Sequence, residues 1–127
     1  METKPGPHVD IKYIGVPNIC FSLTDPSDPR DIEYAQQRVS RGFDDSETWS
    51  LRDTIGNFAL PRLIRYREIV IKTIVDHDGH FTYIDKAIRA LELLVRDNGV
   101  FDLTPEEEVE YKEGMDALHG IFINLWW

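Results

Sequence analysis

Apolar residues near the start of the chain occur at every second position. They alternate with polar residues on both sides of the turn-forming run Gly15-Val-Pro-Asn18. Alternation of this kind is typical of strands with one buried face, and the run between them is typical of a tight connection. The pattern predicts a small, irregular β-hairpin over residues 9–23. Its alternating apolar residues are Val9, Ile11, Tyr13, Ile19, Phe21 and Leu23.

From residue 31 onwards the apolar spacing becomes helical. A short helix is predicted over residues 31–40, after a proline-rich loop at residues 24–30. A longer helix is predicted to begin near Asp45 or Ser46, either of which can cap its first turn, and to continue to about Val75. Pro61 lies inside that pattern, so we expect a kink or a restart near Leu60. The apolar face of the first half consists of Leu51, Ile55, Phe58, Ala59 and Leu63.

Two further helices follow. One is predicted over residues 82–97 and is ended by Asn98-Gly99. The other begins at Thr104-Pro-Glu-Glu107, which combines a capping threonine, a proline at the first helical position and a capping-box glutamate. Its apolar stripe is expected to pack on the other helices or on a second subunit. The stripe consists of Tyr111, Met115, Leu118, Phe122 and Leu125.

These elements predict a mainly α fold of the α+β class. We expect a bundle of three to four helices, one kinked at a proline, with a small N-terminal β-hairpin. Residues 1–8 are predicted to be a flexible tail, and residues 9–127 a single domain with the β element at 9–23 and the helices at 31–127. The terminal Trp126 and Trp127 are costly to leave in water, so we expect them to dock on the domain or to lie in a homo-oligomer interface.

Composition and charge restrict the possible functions. The chain has 127 residues and a formal net charge of −9, which disfavours a general binder of nucleic acids or anionic membranes. Its one cysteine, Cys20, excludes an intramolecular disulfide and a multi-cysteine zinc site. The polar N-terminus does not resemble a signal peptide, so a cytosolic protein with no membrane partner is expected. Glycine-rich phosphate loops, dinucleotide fingerprints and nucleophile elbows are absent from the sequence.

Arginines and aromatic residues suggest a site for a small anion. Arg62 and Arg65 are three residues apart, so both can face one phosphate from the same side of a helix. Trp49 and Tyr66 flank the arginines and could stack on a nucleotide base. The alternatives are that the arginines form ion pairs with nearby carboxylates and that the aromatic rings belong to the core. The predicted ligand-binding residues are Arg41, Asp45, Trp49, Arg62, Arg65 and Tyr66.

Two other clusters could carry chemistry. Asp44, Asp45 and Glu47 could hold a divalent cation or act as acid and base, or they could simply cap a helix. His77 and His80, with two adjacent aspartates, could bind a metal ion, or they could form a solvated turn. The simpler interpretation is preferred for both clusters, so no catalytic residue, metal ligand or cofactor is predicted.

The run Arg41-Gly-Phe-Asp-Asp-Ser-Glu-Thr-Trp-Ser-Leu51 resembles a block in a loosely defined family of small, mostly uncharacterised tailed-bacteriophage proteins. Phe58-Ala-Leu-Pro-Arg-Leu63 and Ile123-Asn-Leu-Trp126 resemble later parts of the same pattern. The resemblance covers residues 38–126. Arg52 and Gly56 depart from it, since an aromatic or acidic residue and a larger residue are expected at those positions. The resemblance implies a phage accessory protein and assigns no chemistry.

The sequence therefore predicts a binding protein that acts against host defence in the cytoplasm of an infected bacterium. It would sequester a small nucleotide-type signal or block a host defence protein. A metal-dependent nucleotide hydrolase and an acidic decoy that mimics nucleic acid remain as alternatives.

Overall fold

The computed structural model describes residues 21–76 and 78–127, and its regular structure there is helical. The four α-helices are α1 (Asp31–Arg41), α2 (Leu51–Thr73), α3 (His80–Val95) and α4 (Pro105–Ile121). Three short 3-10 helices lie at Asp45–Thr48, Gly99–Asp102 and Phe122–Asn124. The prediction of a mainly helical fold is confirmed. Most of the predicted hairpin lies outside the described residues, and residues 21–23, which are described, are not in a strand.

The chain divides into two compact units, residues 1–54 and residues 55–127. In the first unit, α1 buries Tyr34 and ends at Gly42. Gly42 has a φ of 90°, a left-handed conformation that costs glycine little, and its N–H donates to the carbonyl of Arg38. The turn that follows leads into the 3-10 helix Asp45–Thr48 and then into α2.

Helix α2 continues without interruption through Pro61. Of the two outcomes expected near Leu60, the restart is therefore wrong, and the kink stays a prediction. Pro61 lies on the exposed face of the helix, which continues past it although proline has no N–H group to donate. The helix also begins later than predicted, at Leu51, because residues 45–48 form a separate 3-10 turn.

In the second unit, α2 contributes a different face to the core from the one predicted. Its buried residues are Gly56, Leu63 and Val70, whereas Ile55 and Phe58 are exposed. Apolar residues lie on more than one side of this helix, so spacing alone could not select the buried side. The core cluster consists of Leu63, Val70, Ile84, Ala87, Leu91, Leu94 and Ile121.

Helices α3 and α4 approach each other closely at Gly114. A Cβ atom on Gly114 would lie 2.3 Å from the carbonyl oxygen of Lys86 and 2.4 Å from the Cβ of Ala90. The buried residues of α4 are Gly114, Ala117 and Ile121. The predicted stripe is thus not the centre of the contact. Tyr111, Met115, Leu118 and Leu125 are half-buried, and Phe122 is exposed.

The start of α4 is formed as the sequence predicted. The Thr104 hydroxyl accepts a hydrogen bond from the Glu107 N–H at 3.1 Å, and the Glu107 carboxylate accepts one from the Thr104 N–H at 3.0 Å. Arg96 donates to the same carboxylate at 2.7 Å and 2.8 Å. The hydrogen bonds from Arg96 and from the Thr104 N–H lower the pKa of Glu107 to about 2.

Candidate functional site

The predicted ligand-binding residues of the first unit are already engaged with other side chains. Arg41 forms an ion pair with Asp45 at 2.7 Å, across one turn at the end of α1. The Asp45 carboxylate also accepts a hydrogen bond from the Gln37 amide at 3.1 Å. The hydrogen bonds from Arg41 and Gln37 lower the pKa of Asp45. All three residues are at the surface, where such pairs contribute little stability and exchange readily.

Trp49 stands in an aromatic contact of the same unit. Its ring meets Tyr34 edge to face with ring centroids 6.3 Å apart, and the Arg30 guanidinium lies 4.8 Å from its centroid. About half of Trp49 remains exposed. Trp49 is therefore an exposed aromatic residue and not a core residue, and its stacking on a nucleotide stays a prediction.

The arginines of the second unit have separate interactions. The Arg62 guanidinium lies 4.0 Å from the centroid of the Phe58 ring and donates to the Phe58 carbonyl at 2.9 Å. Arg65 forms an ion pair with Glu68 at 3.1 Å. Tyr66, unlike these two, is half-buried against the core. Arg62 and Arg65 thus have different neighbours in this unit, and the anion site stays a prediction.

The carboxylates of Asp44 and Glu47 form hydrogen bonds and an ion pair with neighbouring parts of the chain. Asp44 accepts hydrogen bonds from the backbone and hydroxyl of Ser46 and pairs with Arg38. Glu47 accepts from the backbone N–H groups of Asp44 and Phe21, each at 2.9 Å. Burial acts to raise the pKa of Asp44, but the hydrogen bonds it receives outweigh burial and lower the pKa. This cluster is a capping box, the preferred interpretation of its sequence, with Asp44 as the capping residue.

The histidine loop is described only in part, because His77 lies outside the described residues. His80 forms the first residue of α3, and its ring meets Tyr66 edge to face. Among the described residues, no group of three or more histidine, cysteine, aspartate or glutamate side chains is arranged to hold a metal ion.

A large groove opens at the end of the second unit where α2 ends, α3 begins and α4 ends. Its volume is about 900 Å³. Ile74 and Val75 form one wall after the last turn of α2, and Tyr83 contributes from α3. Trp126 and Trp127 contribute from the C-terminal segment and stay 72% and 68% exposed. The groove is therefore a mainly apolar surface in contact with water, and aromatic rings form part of its walls.

Tyr66 holds the C-terminal wall of this groove in place. Its hydroxyl lies 3.1 Å from the carbonyl oxygen of Asn124, 3.3 Å from that of Trp126 and 3.3 Å from Nε2 of His80. The hydroxyl can donate to one carbonyl at a time, while the His80 ring can donate to it. Burial raises the pKa of Tyr66, so it remains a neutral donor near neutral pH. The predicted contact of Tyr66 with a ligand stays a prediction. In the structure its hydroxyl contacts Asn124 and Trp126, which both line the groove.

The charged residues of the groove are mostly acidic. Asp78, Glu113 and Asp116 lie along it, together with Lys86 and His80. The Lys86 ammonium is 4.0 Å from a Glu113 carboxylate oxygen, so these two charges compensate each other. In the described part of the chain, neither Asp78 nor Asp116 has an ion-pair partner. The groove thus combines aromatic walls with a surplus of negative charge.

The sequence singled out four of the residues that line this groove. Trp126 and Trp127 were named as costly to leave in water, and Asp78 and His80 as part of a possible metal site.

No sequence pattern marked Asp116 and Gly120. They line the groove because α4 packs against α3, and the sequence alone does not show that packing. Gly120 lies in the floor with open space around it: a Cβ added there would have no heavy atom within 4 Å.

No helix in the described ranges is both long and apolar enough to cross a bilayer. Comparison with protein-family models, with curated proteins and with solved structures gave no match to this chain.

Proposed function

We propose that this protein is a binding protein that holds a segment of another protein in the groove of its second unit. The observation that carries the proposal is the exposure of Trp126 and Trp127 in the groove wall. Tryptophan and tyrosine are enriched among the residues that dominate protein–protein binding energy. Apolar surface exposed to water raises the free energy of the protein. A partner that covers the wall with apolar groups lowers that free energy again.

The groove suits a protein segment better than it suits a nucleotide. Asp78 and Asp116 would repel the phosphates of a nucleotide, and Lys86 is already paired with Glu113. The arginines that favoured a nucleotide do not line the groove, and Arg62 and Arg65 have Phe58 and Glu68 as neighbours. The sequence suggested two kinds of ligand, a small nucleotide and a host protein. A protein ligand is therefore the better supported of the two.

The resemblance to small tailed-phage proteins suggests which partner to seek. We extend the proposal to a phage accessory protein that occupies a surface of a host defence protein in the bacterial cytoplasm. The extension depends on the resemblance of residues 41–51, 58–63 and 123–126, so the binding role can be tested without it.

A peptide-display selection on the immobilised protein tests the proposal. The selection is counter-selected on the double variant Trp126→Ala/Trp127→Ala, whose folding is checked by circular dichroism. We expect peptides that bind the natural protein and not the variant. Binders that fail to distinguish the two proteins would contradict the proposal. A parallel titration with nucleotides is expected to give no heat, and strong heat that is lost in Arg62→Ala/Arg65→Ala would favour the nucleotide instead.

A further inference from the structure

From the charge and shape of the groove, we infer that its occupant is a basic amphipathic segment of a partner protein. One side of the segment is apolar and packs on the aromatic wall, and lysine or arginine side chains at its edge reach Asp116 and Asp78. This inference rests on the proposed function and specifies the chemistry of the partner.

The charges of the groove favour a basic occupant. Glu113 is compensated by Lys86 at 4.0 Å, which leaves two carboxylates without an ion-pair partner among the described residues. A purely apolar segment lying over them would remove water from these carboxylates and offer nothing in return. An acidic segment would add repulsion, whereas a lysine or arginine would supply the missing opposite charge. Complementarity therefore selects a basic occupant.

The aromatic residues beside these carboxylates give the second argument. Tyr83, Trp126 and Trp127 lie along the same groove as Asp116, and all three rings are substantially exposed. A cation is attracted to the face of an aromatic ring, most strongly to tryptophan. Lysine and arginine also carry apolar stems that can lie along such a ring while the charged end reaches a carboxylate. One basic side chain can therefore satisfy both kinds of group.

The same charges argue against a second copy of this chain as the occupant. The chain has a formal net charge of −9, so a second copy brings far more carboxylates than cations to an acidic groove.

Calorimetric titration with three synthetic peptides tests the inference. The first is an amphipathic helical peptide of leucine and lysine. The second has glutamine in place of every lysine, and the third has glutamate in place of every lysine. We expect the lysine peptide to bind at least about tenfold more tightly than the glutamine peptide, and the glutamate peptide not to bind. The preference should weaken as salt concentration rises.

Two variants with the same change in net charge separate the groove from the overall charge of the protein. Asp116→Asn removes a groove carboxylate, whereas Glu92→Gln removes an exposed carboxylate on α3 that does not line the groove. We expect Asp116→Asn to weaken binding of the lysine peptide about five- to tenfold and Glu92→Gln to leave it nearly unchanged.

Equal affinity for the lysine and glutamine peptides would overturn the inference, as would equal losses in Asp116→Asn and Glu92→Gln. If the glutamine peptide binds equally well and its binding is lost in Trp126→Ala/Trp127→Ala, the inference fails while the proposed function stands. If Trp126→Ala/Trp127→Ala binds the displayed and the synthetic peptides as tightly as the natural protein does, both the inference and the proposed function fail.

Discussion

Two glycines of helix α4 have opposite surroundings. At Gly114 the helix lies so close to α3 that a single added carbon would meet the backbone of Lys86. At Gly120, less than two turns further on, the same added carbon would meet open space in the groove. The close contact at Gly114 holds α4 against α3, whereas the exposed Gly120 lines the groove. Packing requires the first glycine. In the proposed function, the space beside the second glycine receives the partner.

The largest expected effect comes from Gly114→Ala. The added methyl group must displace the Lys86 carbonyl or the Ala90 side chain, and backbone cannot move as cheaply as the end of a side chain. Overpacking of this kind outweighs the better helix propensity of alanine and should destabilise the protein by about 3 kcal/mol. Chemical denaturation monitored by circular dichroism measures the change. Unchanged stability would mean that α3 and α4 are not held at this distance.

Tyr66→Phe should have a smaller effect on stability and a distinct effect on the groove. The change removes the hydroxyl that contacts the carbonyls of Asn124 and Trp126 and leaves the ring in place. The loss of such a hydrogen bond costs about 1 kcal/mol. Hydrogen exchange should become faster at residues 122–127 and stay unchanged in the middle of α3. Uniformly faster exchange would contradict the proposed role of Tyr66 as an anchor of the groove wall.

Gly120→Ala should change stability in the opposite direction from Gly114→Ala. No neighbour meets the added methyl group, and alanine is a better helix former than glycine. We expect a gain of about 0.5–1 kcal/mol, measured by the same denaturation experiment. Two identical substitutions in one helix would then differ in sign. A loss of stability would show that the space beside Gly120 is filled.

The pH dependence of stability tests the start of α4. The pKa of Glu107 is lowered to about 2 by hydrogen bonds from Arg96 and the Thr104 N–H, whereas its ordinary value is 4.5. A carboxylate whose folded pKa is lowered adds stability above the unfolded pKa, and that stability is lost as the pH falls from about 4.5 towards about 2.

Glu107→Gln keeps a capping acceptor but not the charge, so the loss of stability across this pH range should become shallower. Arg96→Met should have a similar effect, because it removes the main cause of the shift. The effect at neutral pH should be the smallest of the set, since the pair lies near the surface. Thermal melts at several pH values measure it. Parallel curves for Glu107→Gln and the natural protein would contradict the assignment.

The same helix also shows what a sequence can and cannot predict. Its start was predictable because Thr104, Pro105 and Glu107 act within one turn and need no tertiary information. Its buried face was not, because small residues such as Gly114 decide how near α3 can come, and their importance depends on a neighbour that the pattern does not reveal.

The buried face of helix α2 was likewise not predictable from the sequence. Its apolar residues are spread around the helix, so Ile55 was expected to be buried although Gly56 beside it is the residue that faces Leu94 and Val95.

The groove was also beyond a linear pattern, because its walls come from separate segments. The sequence singled out Trp126, Trp127 and His80 separately and did not show that they line one groove.

The most direct test of the account is to fill the groove without removing any contact. Gly120→Leu places a side chain in the open space beside Gly120, and Gly120→Ala serves as its control because it leaves most of that space free. Titration of both folded variants with a peptide recovered from the display selection measures the effect. We predict that Gly120→Ala binds like the natural protein and that Gly120→Leu binds at least about tenfold more weakly. Equal affinity of the two variants would contradict the assignment of the groove as the binding site.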